Sequence, residues 1–358
     1  MKACKRLGWL GLGLLPLLAP ALVRCQPVES KVVRDGSYWI QTAETVEPQN
    51  GATQLRIVCP GPVLVKGAPA GGLRYTLIKK VKAGSEKEAR KRLQEFEVRS
   101  VTGNGVASLT VTAPRRSSVT LQVSAPKGLK QVRVETQGGD VDGSLFDGAF
   151  YAETGGGVVV LDQIGGPVTA RSGGGNIRAS MIRGEAALET AGGEIVIDEV
   201  LGPLRAVTAG GGIRVLRAGG TVIANTGGGL IDVRQAGGTV KAESGGGVIR
   251  LQSVSGGIRA ATGSGSIDAQ LLAGSLFSES VLSTGLGDIT VSIPSKLAVT
   301  IRAHNLSSRG GRQIISEFPG LAIRLEDGMV VAEGALNGGG PVLRLNGAGG
   351  TIFIKRRE

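Results

Sequence analysis

From about residue 136 onward, aliphatic and polar positions alternate in short bursts, each opened by glycine, as in Gly229-Leu230-Ile231-Asp232-Val233 and Gly238-Thr239-Val240-Lys241-Ala242. Alternation at period two marks a strand with one buried face. The bursts keep a strict register. A Thr or Ser stands at Thr136, Thr154, Ser172, Thr190, Thr208, Thr226, Ser244 and Thr262, each 18 residues after the last. Glycine follows three residues after every start (Gly139 through Gly265) and again twelve after (Gly148 through Gly274), so each unit is two nine-residue halves.

Two strands of about four residues cannot bury their own apolar face, so neighbouring units must stack. The predicted class is all-β, a single-stranded β-solenoid (β-helix) with coils of about 18 residues and two short strands per coil. Rungs of such a stack lie about 4.8 Å apart and line equivalent residues into columns. One column holds Val159, Ile177, Ile195, Ile213, Ile231, Ile249 and Ile267; a second holds Val168, Ala186, Leu204, Val222, Val240 and Ile258. A third, Ala152, Ala170, Leu188, Ala206, Ala224, Ala242 and Ala260, is nearly all small, which suits a thin core. Glycine at each corner supplies positive φ or close approach, and the stacked Thr and Ser are expected to form a hydroxyl ladder.

The chain before the repeats, residues 25–135, reads as β-rich and continuous with the solenoid. It holds one short helix, opened by a capping box of Ser85 and Glu88, with Ala89, Leu93 and Phe96 on one face and an end near Phe96. Ser118–Glu135 anticipates the repeat, placing Val123, Val132 and Val134 in the three inward columns. The regular coils are expected over 136–295, with an outward loop near Leu276–Glu279 where the next start, Thr284, comes 22 residues after Thr262. Irregular coils and a cap take 296–358. Residues 296–345 are the cap candidate, and the closing turn Asn346–Ile354 repeats the internal motif.

Composition agrees with one elongated unit, because 60 glycines in 358 residues and 3% aromatic residues would make a poor globular core. The glycine does not recur every third residue, which excludes collagen. At the amino end Lys2, Lys5 and Arg6 precede the apolar run Leu7–Val23, which Pro16 and Pro20 interrupt. That reads as a signal peptide over residues 1–24 rather than a permanent span. The mature chain is then exported, to the periplasm, the envelope or the outside. Removing the leader subtracts four basic and no acidic residues from a formal charge of +12. Two readings of Cys25 stand. Leu22-Val23-Arg24-Cys25 loosely follows a lipobox, although Arg24 stands where a small residue belongs; cleavage near Ala21 instead leaves Cys25 and Cys59 free to form a disulfide.

The order of a leader, a Gly-Pro-Val-Leu-Val-Lys-Gly strand at 61–67, Val123-Ser124-Ala125-Pro126-Lys127, Thr-Gly-Gly-Gly repeats and a final Gly-Gly-Thr-Ile-Phe-Ile resembles the bacterial putative-adhesin family, also called toast-rack domains. The resemblance covers about residues 50–356. It implies a single-stranded β-helix in an envelope or secreted protein with no established enzymatic activity, and it supplies no catalytic residues.

The residues themselves offer little chemistry. The single histidine, His304, has no Gly-x-Ser-x-Gly elbow to serve, and neither Cys-x-x-Cys nor paired histidines suggest zinc. A calcium roll needs aspartate in every half-coil, whereas the outward column reads Val160, Arg178, Val196, Arg214, Asp232, Arg250 and Asp268. Glycine clusters such as Gly227-Gly228-Gly229 are followed by strands, not by the helix a phosphate loop requires. Asp162 and Asp198 share a column two rungs apart, about 9.6 Å, near the upper limit for an inverting glycosidase pair. Catalytic, metal and cofactor sets are therefore expected to be empty.

What remains is charge. Arg178, Arg214 and Arg250 form one outward basic column and Arg205, Lys241 and Arg259 another, on opposite faces. They either bind a partner or keep the rod soluble and unpaired at its faces. Lys79, Lys80, Lys82, Lys87, Arg90, Lys91 and Arg92 are interleaved with Glu86, Glu88 and Glu95 and lack companion aromatics, so a solvated helix face is expected there and no nucleic-acid partner. The function read from the sequence is a non-enzymatic, exported, adhesin-like scaffold or binding surface whose partners are envelope proteins or anionic glycans or lipids. An envelope sensory or regulatory module bound to a protein is the alternative, and a β-helix polysaccharide lyase or hydrolase is the enzymatic rival.

Overall fold

The computed structural model describes residues 27–48, 51–69, 71–272, 278–306 and 313–358. Two facing sheets run the length of the molecule, sheet A of 17 strands and sheet B of 16. From Val141 to Pro294 each coil gives one strand to each sheet, in parallel register offset by one repeat: Val159 pairs with Ile177 and Ile177 with Ile195 in sheet A, Val168 with Ala186 and Ala186 with Leu204 in sheet B. The β-solenoid is thus the fold. The three inward columns read from the sequence are buried. The four extra residues after Thr262 fall outside the ladder, since Thr262 pairs directly with Thr284. Part of the loop expected there, 273–277, lies outside the described residues.

Two further inward columns are present. Leu161, Ala179, Ile197, Val215, Val233 and Leu251 follow by simple alternation, but Ile164, Ile182, Val200, Ala218, Ala236 and Val254 do not. Strand Val159–Ile164 shows why: after Leu161 two consecutive side chains face out before Ile164 turns in. The residue ahead of the inward one takes a left-handed backbone in four rungs, at Leu145 (φ 65), Gln163 (φ 54), Met181 (φ 54) and Ser253 (φ 49). That conformation costs about 1 kcal/mol in an L-residue. Here it bends the strand and closes the core with a fifth aliphatic column.

The first corner is held by a repeated bond pair. Thr154 Oγ1 donates to the Gly139 carbonyl of the rung below (2.8 Å) and accepts from the Gly157 amide of its own turn (3.0 Å). The same two bonds recur at Ser172, Thr190, Thr208, Thr226, Ser244 and Thr262. The hydroxyls therefore do not bond one another, as the expected ladder required; each staples two rungs through glycine backbone. All seven side chains are 2–6% exposed, so an unpartnered hydroxyl there would be costly.

The corner glycines from Gly139 to Gly265 have no positive φ, so close approach is what demands them; Gly287 alone of the first-corner series has one (φ 146). A Cβ on Gly157, Gly175, Gly193, Gly211, Gly229, Gly247 or Gly265 would lie 1.8–2.2 Å from the carbonyl oxygen of the equivalent glycine one rung below. At the second corner, a Cβ on Gly166 would stand 2.5 Å from the Gly148 backbone. By contrast the middle glycine of the first corner, such as Gly210, meets nothing within 4 Å.

Both ends of the rod depart from chain order. The rung of Gln54–Cys59 and Val63–Ala68 lies between that of Val106–Thr112 with Ser117–Pro126 and that of Gln131–Thr136 with Val141–Phe146. Val132 and Val134 occupy the expected columns, pairing with Phe150 and Ala152. Val123 does not: it pairs with Val65, which places it one rung further out and one inward column aside. Antiparallel strands Leu73–Lys82 and Tyr38–Glu47 then cover sheet A, and Glu97–Gly103 covers sheet B. The helix spans Glu86–Leu93, shorter than expected; Ser85 Oγ accepts from the Glu88 amide, and Glu88 accepts from Gly84 rather than from Ser85.

At the other end, Val342–Gly347 and Ile352–Arg357 are not the outermost turn. They sit between the rung of Ser280–Thr284 with Ile289–Pro294 and the rung of Val299–Leu306 with Ile314–Ser316. The cap is Val299–Leu306, joined antiparallel by Met329–Leu336 and then Ala322–Glu326. Gly347 replaces the stapling hydroxyl of its rung, and Asn305, aligned with it, takes over: its Nδ2 donates to the Gly350 carbonyl (2.8 Å).

The two kinds of corner glycine give opposite expectations. Gly211→Ala should destabilise the protein by about 2–3 kcal/mol or more, because backbone must move, whereas Gly210→Ala should change stability by less than about 1 kcal/mol. Denaturant midpoints of the two variants beside the wild type check this.

Candidate binding furrow on sheet B

The two basic columns face out from different sheets. On sheet A, Arg178, Arg214 and Arg250 are separated by Val196 and Asp232, and Arg250 pairs with Asp268 across the ladder. Arg214 also bridges Glu194 at 3.1 Å. On sheet B, Arg205 is followed by Ile223, Lys241 and Arg259. The out-of-sequence rungs then extend this column through Val281 to Arg344 and Arg302. Lys241 bridges Glu243 (3.0 Å) and Arg344 bridges Glu279. Among the described residues Arg205, Arg259 and Arg302 have no carboxylate within bridging distance and are exposed.

Beside this column runs a furrow, and the corner chemistry creates it. Past most outward residues of sheet B the chain turns its hydroxyl inward and then passes through glycine or alanine, so little side chain fills the space at the corner. The resulting trough is continuous. A stretch of about 630 Å³ reaches from Cys59 to Glu153, one of about 690 Å³ from Glu153 to Thr208, and one of about 920 Å³ from Val207 to the cap.

Along its floor the furrow changes character. In the lower part Glu135 is bridged by Arg56 (3.2 Å) and by Arg133, whose guanidinium lies 4.0 Å from the Tyr151 ring, and Arg171 bridges Glu189 (3.5 Å). Burial pushes the Glu135 carboxyl up, but the hydrogen bonds from Arg133 and Arg56 outweigh it and hold it below the usual range. From Val207 upward the floor reads Asn225, Glu243, Ala261, Ser283, Asn346 and His304, with Leu306 and Met329 at the end wall. The Asn225 carboxamide oxygen has no hydrogen-bond partner among the described residues. His304 joins this floor only because the out-of-sequence rungs bring it beside Asn346, a neighbour that its place in the sequence does not show.

The other residues singled out from the sequence stand apart from this furrow. Asp162 and Asp198 are on sheet A with Ser180 between them, and Ser180 Oγ donates to Asp198 (2.6 Å). Nearby Asp142 has its carboxyl raised by burial and then by the charge of Asp162. Among the described residues no group of three or more His, Cys, Asp or Glu converges as metal ligands would, and no helix is long and apolar enough to cross a membrane. Residues 1–26, hence the leader and Cys25, lie outside the described residues. Cys59 takes the stapling position one rung below Thr136, and burial pushes its thiol up to about 11 against a hydrogen bond from Gly61 that lowers it.

No family model matches the chain, and no curated protein matches it. Several solved structures are similar, three of which follow. A protein described as a putative cell adhesion protein from Clostridium sporogenes is 10% identical, covering 93% of this chain and 100% of its own, with a TM-score of 0.20. One described as a putative adhesin from Bacteroides fragilis is 11% identical over 89% of this chain and 97% of its own, with a TM-score of 0.28. A putative lipid binding protein from Parabacteroides distasonis is 12% identical over 89% and 97%, with a TM-score of 0.33. The architecture described above rests on strand register and not on these likenesses.

Cys59 gives a direct probe of the corner. In a Cys25→Ser variant without the leader, thiol alkylation at pH 8 should run at least about a hundredfold slower in the folded protein than in denaturant. Equal rates would mean that the corner at Cys59 is open.

Proposed function

We propose that the protein is an exported, non-enzymatic scaffold of the bacterial envelope that presents sheet B to an anionic envelope component. The observation that carries this reading is the coincidence of two features on the same rungs: a furrow floor free of unpaired charge and, alongside it, the row Arg205, Lys241 and Arg259. Cations serving solubility alone gain nothing from lying beside a trough. The stapled rungs supply a rigid backing, so little ordering entropy is lost when a ligand is held across several of them. The leader-like amino end supports export.

Retention on dextran sulfate tests it. The wild type should elute at a salt concentration that falls sharply for Arg205→Ser/Lys241→Ser/Arg259→Ser, with affinity at fixed low salt lower by about tenfold or more. Arg178→Ser/Arg214→Ser/Arg250→Ser should elute close to the wild type. Retention that is independent of salt, or governed by the sheet A column, contradicts the proposal.

A further inference from the structure

The furrow and its basic flank change together at one rung. Below Val207 the floor column is charged and its acids are engaged, Glu135 by Arg56 and Arg133 and Glu189 by Arg171. From Val207 upward only Glu243 is charged, and Lys241 neutralises it. In the flanking column Arg56 and Arg133 at the bottom are both spent on Glu135, and Tyr151, Thr169 and Ala187 follow without charge. Above the change it reads Arg205, Ile223, Lys241, Arg259, Val281, Arg344 and Arg302, and the unbridged arginines are all here.

Within that row the unbridged arginines are evenly placed. Three ladder steps separate Arg205 from Arg259, and three more separate Arg259 from Arg302, because the C-terminal rung intervenes. At about 4.8 Å per step this is about 14 Å between successive unpaired cations and about 29 Å from first to last. A repeated charge spacing along a straight trough matches a ligand that is itself linear and repeatedly charged.

We propose that the upper half of the furrow binds one linear acidic polysaccharide laid along the solenoid axis. Its carboxylates meet Arg205, Arg259 and Arg302, and its hydroxyls meet the polar floor groups Ser283 and Asn346. The assignment rests on sheet B being the binding face, as proposed above, and names what that face holds. A single-stranded nucleic acid would match the charge, but no Phe, Tyr or Trp lines this stretch to stack its bases. A lipid headgroup would engage one arginine and leave the three-rung repetition without a use.

Calorimetric titration of the full mature chain with oligogalacturonates of two, four, eight and sixteen sugars tests this. Affinity should rise with length until the oligomer spans about 29 Å and then level off. Arg205→Ser, Arg259→Ser and Arg302→Ser should each weaken the long oligomers by about three- to fivefold and the disaccharide much less, while Arg178→Ser leaves all of them unchanged. Asn346→Ala, on the floor rather than in the cationic row, should weaken binding without altering its salt dependence. Affinity independent of length overturns the inference, as does binding of phosphatidylglycerol vesicles or oligo(dT) in preference to every oligogalacturonate. If dextran sulfate retention still depends on the sheet B row while no oligogalacturonate binds, the glycan assignment alone falls; if that retention is lost as well, the binding face falls with it.

Discussion

The structure depends on how closely one rung can approach the next at the first corner. The carbonyl oxygen of Gly229 occupies the place where a side chain on Gly247 would begin. That proximity lets the Ser244 hydroxyl reach down to the Gly229 carbonyl while holding the Gly247 amide above it. Strand ladders alone would fix the spacing of the sheets, but they leave the turns between sheets free to splay. Stapling each turn to the one below removes that freedom and makes the rod stiff. The bulk of the stability still comes from five aliphatic columns with almost no exposure, since a net hydrogen bond contributes only about 1 kcal/mol against about 0.8 kcal/mol for each buried methylene.

The same constraint shapes the surface. A corner that admits only glycine has no side chain to raise it to the level of the strands beside it, so the trough on sheet B is a by-product of tight stacking. Its upper half then differs from its lower half solely through the outward residues, which are free of any packing duty. The residues proposed to bind stand where the fold imposes nothing: Arg205, Arg259 and Arg302 on the flank and Ser283 and Asn346 on the floor.

The repeat made most of this fold legible. Spacing of Thr and Ser with glycine three and twelve residues on was enough for the coil, the corners and the columns through Ile231, Val240 and Ala242. Three things escaped it. The column of Ile164 and Ile182 was hidden because a left-handed residue, Gln163 or Met181, interrupts the alternation that marks inward positions. The order of rungs at the ends was hidden because a periodic motif says that two turns stack but not which stands next: Val65 and Val123, or Leu343 and Ile301, are joined by long-range pairing. The basic row was seen in part, as Arg205, Lys241 and Arg259, while Arg302, Arg344 and His304 join it or its furrow only through that reordering.

Amide hydrogen exchange in a Thr226→Val variant tests the stapled corner most directly. The Gly229 amide, which donates to the Thr226 hydroxyl, should lose protection by about tenfold or more, as expected for a lost bond of about 1.4 kcal/mol. Amides of the strands Ile213–Ala218 and Val240–Ser244 should keep theirs. Unchanged protection at Gly229 would contradict the account, because the hydroxyl would then be a passenger at the corner and not the group that joins its rungs.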